Sequence, residues 1–178
     1  EGVFAKEIAE VPIATRKQTH VIKDDEEPFR VDFNKLTKLR PVFQKNGITT
    51  AGNASTINDG AALLLVMSEQ EAKKQNLTPL AKIIHHVSTA HAPTSFPTAP
   101  VYGLKKLFEE ISLKPKDIDL FEINEAFSVV PLVAINQLQL DSQKVNPYGG
   151  AVSLGHPIGA SGARILVTLI QALHRDNL

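Results

Sequence analysis

Cysteine does not occur anywhere in the 178 residues of this chain. Its absence excludes disulfides, thiolate metal ligands and a thiol nucleophile supplied by these residues. An excess of charge of either sign is also missing, because 19 lysines and arginines balance 19 aspartates and glutamates. The sequence therefore has no global basic field that would attract nucleic acid, and we expect no nucleic-acid partner.

Long hydrophobic segments are missing as well. No apolar run approaches the length of a membrane span, and no positively charged and apolar leader opens the sequence. We therefore expect no membrane partner. The apolar content is nonetheless ample for a core, in one domain or two small ones.

Several motifs that mark common active sites are absent too. Ser55 and Ser161 lie among small residues, but neither stands in a Gly-x-Ser-x-Gly elbow, so a serine hydrolase is not indicated. There is no Walker A or Gly-x-Gly-x-x-Gly phosphate loop. The histidines have no metal-ligand spacing to one another or to carboxylates, so a zinc site is not expected.

The order of the remaining patterns predicts an α/β domain. Apolar runs of strand length predict buried strands at 61–67, 80–87 and 118–123. Helical spacing of apolar residues predicts helices at 101–111, 127–138 and 163–174. A capping box formed by Ser68 and Glu71 predicts a further short helix that ends near Asn76.

The polar first 45 residues predict a surface arm with short strands at 11–15 and 21–23. An acidic run at 24–27 precedes a locally basic patch. The basic residues are Arg30, Lys35, Lys38, Arg40 and Lys45. Two interpretations remain open for this patch: a solvated face, or a site for an anionic ligand such as a nucleotide phosphate.

The segment Asn146–Gly162 is the most informative part of the chain. It contains five of the ten glycines, no charged residue, and His156 between a glycine and a proline. A glycine-rich turn that ends at a helix start exposes backbone N–H groups near the positive end of the helix dipole. His156 is the best candidate for proton transfer, because histidine titrates near neutral pH. The alternative is a tight turn with a packed histidine.

Asn124 and Glu125 follow the predicted strand 118–123, and strand ends are favoured catalytic positions in open sheets. Asn124 could orient a water molecule or donate to a developing oxyanion. A helix N-cap is the other interpretation of Asn124. Glu125 is interpreted as structural and not as an acid catalyst.

Three blocks together resemble the motifs of the thiolase family, in the family's order. They are Asn53-Ala54-Ser55 with Asn58-Asp59-Gly60, then Asn124-Glu125-Ala126-Phe127, then Gly149-Gly150-Ala151 with Gly155-His156-Pro157-Ile158-Gly159-Ala160-Ser161-Gly162. The resemblance covers essentially the whole chain, and it is closest to the branch of the family that joins two acetyl-CoA molecules.

The resemblance implies a thiolase-like α/β fold with sheet and helix layers. It assigns residues 1–53 to the end of a loop domain, 54–79 to the end of the N-terminal half, and 80–178 to most of the C-terminal half. Pro147 and Tyr148 replace the small or polar residues common in the glycine turn.

The resemblance also implies roles for individual residues. His156 would be the base that activates a nucleophilic cysteine and would help to hold the thioester oxygen, while Asn124 would position a water that completes this oxyanion hole. Ser55 would contact the pantetheine of coenzyme A. The nucleotide end of coenzyme A would lie on a segment that includes Arg30, Val31, Asp32 and Lys35.

Two further sites are implied. The backbone oxygens of four residues match positions that hold potassium in some thiolases: Ala51, Gly52, Ala54 and Val152. Gly52 stands where alanine is usual, which a carbonyl ligand tolerates. The Phe96-Pro97 pair resembles the dipeptide by which a thiolase accepts 2-methyl-branched acetoacetyl-CoA.

The chain departs from the family in lacking both catalytic cysteines, one from the N-terminal half and one from a Cys-x-Gly-Gly-Gly motif. The tyrosine that completes the potassium site is also expected before Glu1. We therefore expect the chain to be the middle-to-late part of a thiolase subunit, and to be inactive by itself.

The resemblance implies that the parent enzyme reversibly condenses two acetyl-CoA molecules to acetoacetyl-CoA and coenzyme A through an acetyl-cysteine. Alternatives are a longer-chain 3-ketoacyl-CoA thiolase, a non-catalytic thiolase-like protein that binds acyl-CoA or lipid, and a purely structural fragment. An acyl-CoA substrate, a homo-oligomer built as a dimer of dimers, and a mitochondrial location are implied, with a cytoplasmic location as the alternative.

Overall fold

A computed structural model describes residues 2–178 of the chain. It contains a β-hairpin, seven α-helices and three 3-10 turns among the described residues. The strands are β1 (Val11–Ala14) and β2 (Thr19–Ile22). The helices are α1 (Glu27–Arg30), α2 (Phe33–Leu36), α3 (Glu69–Lys74), α4 (Ala99–Ile111), α5 (Val129–Leu138), α6 (Ala151–Leu154) and α7 (Ser161–Asp176). The 3-10 turns are Pro93–Thr98, Pro115–Asp117 and Ser142–Lys144.

The predicted surface arm is confirmed as an exposed hairpin. β1 and β2 pair antiparallel, with Val11 opposite Ile22 and Ala14 opposite Thr19. All eight strand residues are exposed, so no side of the hairpin packs into a core. Thr15 closes the turn, because its hydroxyl donates to the carbonyl of Gln18 at 2.6 Å.

The core forms where α4 and α5 pack around the segment that precedes Asn124. Its buried members are Val101, Phe108, Phe121, Ile123, Val130, Ala134, Leu140 and Val145. The apolar face predicted for 101–111 is confirmed, since Val101 and Phe108 are buried and Leu104 packs against them. α4 ends where Ser112 adopts a left-handed conformation with φ of 56°.

The other predicted helices are also found, with shifted ends. α5 begins at Val129, two residues later than predicted, and Pro131 lies in its first turn, where a missing N–H costs nothing. α7 extends beyond the predicted 163–174 at both ends. Ser68 caps α3 as predicted, because its Oγ accepts from the Glu71 N–H at 3.1 Å, and the helix ends at Lys74.

The predicted buried strands at 61–67 and 80–87 are wrong. Within the described chain, neither segment pairs with another strand, and Leu63 keeps 91% of its surface exposed. Leu65, Ile83 and Ile84 are exposed as well. An apolar run becomes a buried strand only when a neighbouring strand and a packing layer cover it, and residues 2–178 provide neither at these positions.

The segment predicted as a strand at 118–123 is only partly buried, through Phe121 and Ile123, and it pairs at one position within the described chain. Phe121 forms a parallel bridge with Val145, and both residues lie in the core. The bridge aligns the chain just before Asn124 with the start of the glycine-rich segment. Among residues 2–178, no helix combines the length and apolar character that crossing a bilayer would require.

Tyr148 anchors the glycine-rich segment to the end of α7. Its hydroxyl donates to Asp176 Oδ2 at 2.6 Å, and the Arg175 guanidinium lies 3.7 Å from the centroid of its ring. We expect Tyr148→Phe to lower the free energy of unfolding by about 0.5–1 kcal/mol, because one hydrogen bond is lost while the ring stays. Urea denaturation measures this change.

Tyr102→Phe is the matched control for this experiment. The Tyr102 hydroxyl makes no hydrogen bond within the described residues, although its ring contacts His91. Its removal should leave the unfolding midpoint nearly unchanged. Equal losses in the two variants would show that the Tyr148–Asp176 hydrogen bond does not stabilise the fold.

Candidate active site

His156 is held by its backbone and by both nitrogens of its ring. Its N–H donates to the carbonyl oxygen of Thr56 and to Asn58 Oδ1, both at 3.0 Å. The preceding Gly155 has φ of 96°, a left-handed conformation that favours glycine. Pro157 follows His156, and α7 begins at Ser161, four residues after Pro157. The sequence prediction that His156 lies beside a helix start is confirmed.

The hydrogen bonds of Ser161 assign the proton on the His156 ring. His156 Nδ1 lies 2.6 Å from Ser161 Oγ, and this hydroxyl donates its single proton to the carbonyl of Pro157 at 3.0 Å. With this hydroxyl donating to Pro157, Ser161 Oγ is the acceptor towards the ring, and the pair of contacts fits the tautomer that has its proton on Nδ1. Nε2 is then left unprotonated, as a general base requires.

Asn124 faces this free nitrogen. Its Nδ2 lies 3.3 Å from His156 Nε2, at the distance of a weak hydrogen bond. Asn124 Oδ1 is inaccessible to solvent and has no partner among residues 2–178. The alternative interpretation as a helix N-cap is wrong, because α5 begins five residues later and Ser128 holds the N-cap position.

Glu125 holds the glycine turn and does not point to the histidine. Its two carboxylate oxygens accept from Asn146 Nδ2 at 2.9 Å and from the Val152 N–H at 3.1 Å. The carboxylate lies directly on Gly150, where an added Cβ would be 2.5 Å from Oε1. The contact explains why this position has no side chain.

Asn146 fixes the strand end that carries Asn124. Its side-chain amide pairs with the backbone of Ile123, accepting from the N–H and donating to the carbonyl, both at 2.8 Å. The same amide donates to Glu125, so the two residues that flank Asn124 are both held by one side chain. Sequence reasoning did not identify this residue. The sequence signal that could have found it is an asparagine at the start of a glycine-rich turn. Asparagine tolerates a left-handed backbone, and Asn146 adopts one, with φ of 47°.

Ser55 and Phe96 lie beside the segment that follows Asn124. Ser55 donates to the carbonyl of Ala126 through both its N–H at 3.1 Å and its hydroxyl at 2.9 Å. The Phe96 ring lies 6.0 Å from that of Phe127, and Phe43 approaches Phe127 from another side at the same distance. Pro97 lies in the 3-10 turn Pro93–Thr98. The structure thus places Ser55 beside Ala126 and Phe96 beside Phe127, and their contacts to coenzyme A and the acyl group stay predictions.

The residues predicted to contact the nucleotide end of coenzyme A lie on α1 and α2. Arg30 forms ion pairs with Glu26 and Glu27, and Lys35 pairs with Asp32 at 3.0 Å. Asp32 also caps α2 by accepting from the Asn34 N–H. Val31, between these charges, is exposed. Both cations therefore have acidic partners within the chain.

The four residues predicted to hold potassium come from two segments. None of the carbonyl oxygens of Ala51, Gly52 and Ala54 accepts a hydrogen bond from another backbone N–H in residues 2–178. Val152 contributes from α6, which Glu125 fixes. Uncommitted carbonyl oxygens have the chemistry that potassium ligands require, and the potassium site stays a prediction.

Glu122, two residues before Asn124, and Arg164 carry charged groups that are buried. Both carboxylate oxygens of Glu122 and all three guanidinium nitrogens of Arg164 are inaccessible and lack hydrogen-bond partners within the described chain. Burial raises the pKa of Glu122 to about 7, with the Arg164 charge opposing the shift and the charges of Glu125 and Glu7 adding to it. The ordinary pKa of this carboxyl is 4.5.

This shift has a consequence for stability. Between the two pKa values the folded chain binds the proton of Glu122 more tightly than the unfolded chain, so stability should fall as pH rises from about 4.5 to about 7. We expect the loss to be on the order of 1–2 kcal/mol, less than the full shift implies, because the Glu122 residue as a whole is only partly buried. Chemical denaturation at several pH values measures it.

Glu122→Gln is the test variant for this pH dependence. Its slope over the same pH range should be smaller than that of the unmodified chain. Part of the slope should remain, because burial also raises the pKa values of Glu7 and Asp25. An unchanged slope in Glu122→Gln would contradict the assignment.

Comparison with known proteins identifies the family. The family model described as "Thiolase, N-terminal domain" matches residues 1–70, and the model described as "Thiolase, C-terminal domain" matches residues 77–178. The chain belongs to the thiolase family. The resemblance seen in the sequence motifs is thereby confirmed, whereas the predicted domain boundaries at 53/54 and 79/80 stay predictions.

Among relatives, this thiolase chain is 52% identical over 174 residues to the human protein named acetyl-CoA acetyltransferase, mitochondrial. The match covers 97% of the chain and 41% of the relative. The chain therefore spans about two fifths of the length of the curated relatives it matches.

Solved structures confirm the predicted α/β thiolase-like fold. The acetyl-CoA acetyltransferase of Bacillus anthracis superimposes with a TM-score of 0.95 at 42% identity, covering 99% of this chain and 45% of that one. Human mitochondrial 3-ketoacyl-CoA thiolase superimposes with a TM-score of 0.89 at 38% identity, again over 99% of this thiolase chain and 45% of the other.

Proposed function

We propose that this thiolase chain supplies the His156–Asn124 side of an acyl-transfer site whose nucleophilic cysteine comes from thiolase segments outside the 178 residues. The supporting observation is the His156 ring, with its proton directed to Ser161 and its free Nε2 facing Asn124. A neutral imidazole in this state can take the proton of a thiol.

In this proposal His156 Nε2 accepts the thiol proton, and the resulting thiolate attacks the carbonyl carbon of acetyl-CoA. Coenzyme A leaves as its thiolate, and the acetyl group stays on the cysteine while His156 keeps the proton it accepted. The Asn124 carboxamide, whose Nδ2 lies 3.3 Å from His156 Nε2, would position a water molecule that donates to the oxyanion together with the protonated His156. Donors placed in advance around a developing oxyanion supply much of the rate in such reactions.

Coenzyme A would extend from this centre past Ser55 towards α1. Its nucleotide phosphates would meet Arg30 and Lys35, with Val31 and Asp32 between them, in competition with the acidic partners of these cations. Potassium on the carbonyl oxygens of Ala51, Gly52, Ala54 and Val152 would add positive charge to the loop next to Ser55 and stabilise its backbone.

The reaction that the relatives favour is the condensation of two acetyl-CoA molecules to acetoacetyl-CoA and coenzyme A, and its reverse. Phe96 and Phe127 form an apolar wall beside the site, which suits a short acyl chain, including the 2-methyl-branched one implied by Phe96-Pro97. The mitochondrial names of the relatives support a mitochondrial location, and we propose a dimer of dimers as the assembly. Analytical ultracentrifugation tests the assembly state.

A longer-chain 3-ketoacyl-CoA thiolase is the second candidate, supported by the likeness to the human enzyme of that name. Relative turnover of acetoacetyl-CoA and a long-chain 3-ketoacyl-CoA separates the two. A higher kcat/KM for the long chain would favour the second candidate. Binding of acyl-CoA without any turnover would favour a non-catalytic acyl-CoA-binding protein.

The experiment needs an enzyme that contains the cysteines. We define the completed enzyme as this chain joined in one polypeptide to the cysteine-bearing segments of the human mitochondrial relative. We expect it to cleave acetoacetyl-CoA in the presence of coenzyme A, and we expect the 178-residue chain alone to show no turnover. Turnover by the chain alone would overturn the proposal, as would a folded completed enzyme without activity.

A further inference from the structure

The carboxamide of Asn58 lies directly behind the backbone of His156. Its Oδ1 accepts from the His156 N–H at 3.0 Å and from the Thr56 hydroxyl at 2.7 Å. Gly155 makes room for it, since an added Cβ at that position would lie 2.6 Å from Asn58 Cγ. The side chain therefore sets both the position of His156 and the requirement for glycine before it.

Glu27 fixes which way this carboxamide points. Its Oε1 accepts from Asn58 Nδ2 at 3.3 Å and from Arg30 Nη1 at 2.9 Å. A carboxylate can only accept, so the Asn58 NH2 group must face Glu27 and the oxygen must face His156. The Glu27 side chain is only 16% exposed, so solvent competes weakly for this contact.

We propose that Asn58 is a positioning residue for His156 and that Glu27 holds Asn58 in the orientation this requires. The inference builds on the proposed function, in which His156 is the base. Displacement of the His156 backbone would lengthen both ring contacts, to Ser161 and to Asn124, although Asn58 touches neither ring atom. Misplacement of a reacting group by about 1 Å can cost on the order of 100-fold in rate.

The first measurement is nuclear magnetic resonance of the full 178-residue chain with isotope-labelled histidine. The ring nitrogen shifts of His156 should report a proton on Nδ1 and a free Nε2 in the unmodified chain. In Asn58→Ala they should move towards the average of two exchanging tautomers. Asn136→Ala, an exposed asparagine on α5, is the matched control and should leave these shifts unchanged.

A charge-swapped pair separates positioning from a general loss of structure. Asn58→Asp keeps the oxygen towards His156 but places a second carboxylate against Glu27, so it should disturb the His156 shifts. Adding Glu27→Gln places an amide donor at position 27, opposite the new carboxylate acceptor at position 58. The ring nitrogen shifts of His156 should then return to those of the unmodified chain. If Asn58→Ala does not fold, this swap still decides the proposal, because the double variant keeps one donor and one acceptor between positions 27 and 58, although it gives up the Arg30–Glu27 ion pair.

Kinetics of the completed enzyme provide the second readout. Asn58→Ala should lower kcat by about 10- to 100-fold while KM for acetoacetyl-CoA changes less than about 3-fold. The swapped pair should recover most of kcat. Unchanged His156 shifts in folded Asn58→Ala, or failure of the swap to restore them, would overturn the positioning role. Inactivity of the unmodified completed enzyme would contradict the proposed function and not the positioning role. In that case the resonance measurements on the 178-residue chain would still test whether Asn58 positions His156.

Discussion

His156→Ala should lower kcat/KM of the completed enzyme by about 1,000-fold, because general acid–base groups contribute roughly 100- to 10,000-fold. The structure supports a loss in the middle of this range or above. Among the described residues, His156 is the one histidine whose ring faces Asn124, and its other ring nitrogen lies 2.6 Å from Ser161 Oγ. No other described histidine makes a hydrogen bond to Asn124, so no neighbour is placed to replace it.

Steady-state assays of acetoacetyl-CoA cleavage measure this effect, with coenzyme A binding measured separately by calorimetry. Binding should be retained in His156→Ala, since the proposed contacts to the nucleotide and pantetheine lie on other segments. His20→Ala is the matched control, because His20 lies on the exposed strand β2. Retention of more than a tenth of the activity by His156→Ala would remove this residue from the role of base.

The second large effect concerns the glycine turn. Gly150→Ala should lower the free energy of unfolding by about 2–3 kcal/mol, the upper range for forcing an extra group into a packed site. The added Cβ would lie 2.5 Å from Glu125 Oε1, and Glu125 cannot retreat without losing its bonds to Asn146 and Val152. The loss should also reach the catalytic centre, since Glu125 adjoins Asn124.

Two comparisons make this prediction specific. Gly162→Ala lies in the first turn of α7, where an added Cβ meets nothing within 4 Å. It should be neutral or stabilise the chain by up to about 1 kcal/mol, through the lower entropy of the unfolded state. Glu125→Ala combined with Gly150→Ala should cost less than the sum of the single changes, because the clash disappears with the carboxylate. Additive losses would contradict the packing described for Gly150.

Helices with a marked apolar face were predictable from sequence. α4 and α7 follow the 3.6-residue period, and Ser68 with Glu71 marks the start of α3. The strands were less predictable because their partners decide them. The apolar runs at 61–67 and 80–87 have strand composition, yet in residues 2–178 they are exposed and unpaired. Local sequence contains no information about which neighbouring segment is present to cover a run.

The candidate site, like the fold, was predictable from the sequence only in part. His156 and Asn124 were predictable because their motifs carry a known chemistry, and the structure places their side chains in contact. The residues that hold them were not predicted. Asn58 and Glu27 act through contacts 98 and 31 residues apart in sequence, and Asn146 mimics a backbone partner with its side chain. Such roles depend on tertiary proximity, which spacing along one sequence does not reveal.

The central claim, that this chain supplies the base for an external cysteine, is tested most directly by intact-mass analysis of acetyl transfer. The completed enzyme is mixed with acetyl-CoA for short times, and the acetylated residue is located by peptide mapping. We expect acetyl on the cysteine of the added N-terminal segment, formed rapidly with His156 present and about 1,000-fold more slowly in His156→Ala. Equal acetylation rates in the two proteins, or acetyl on a residue of the 178-residue chain, would contradict it.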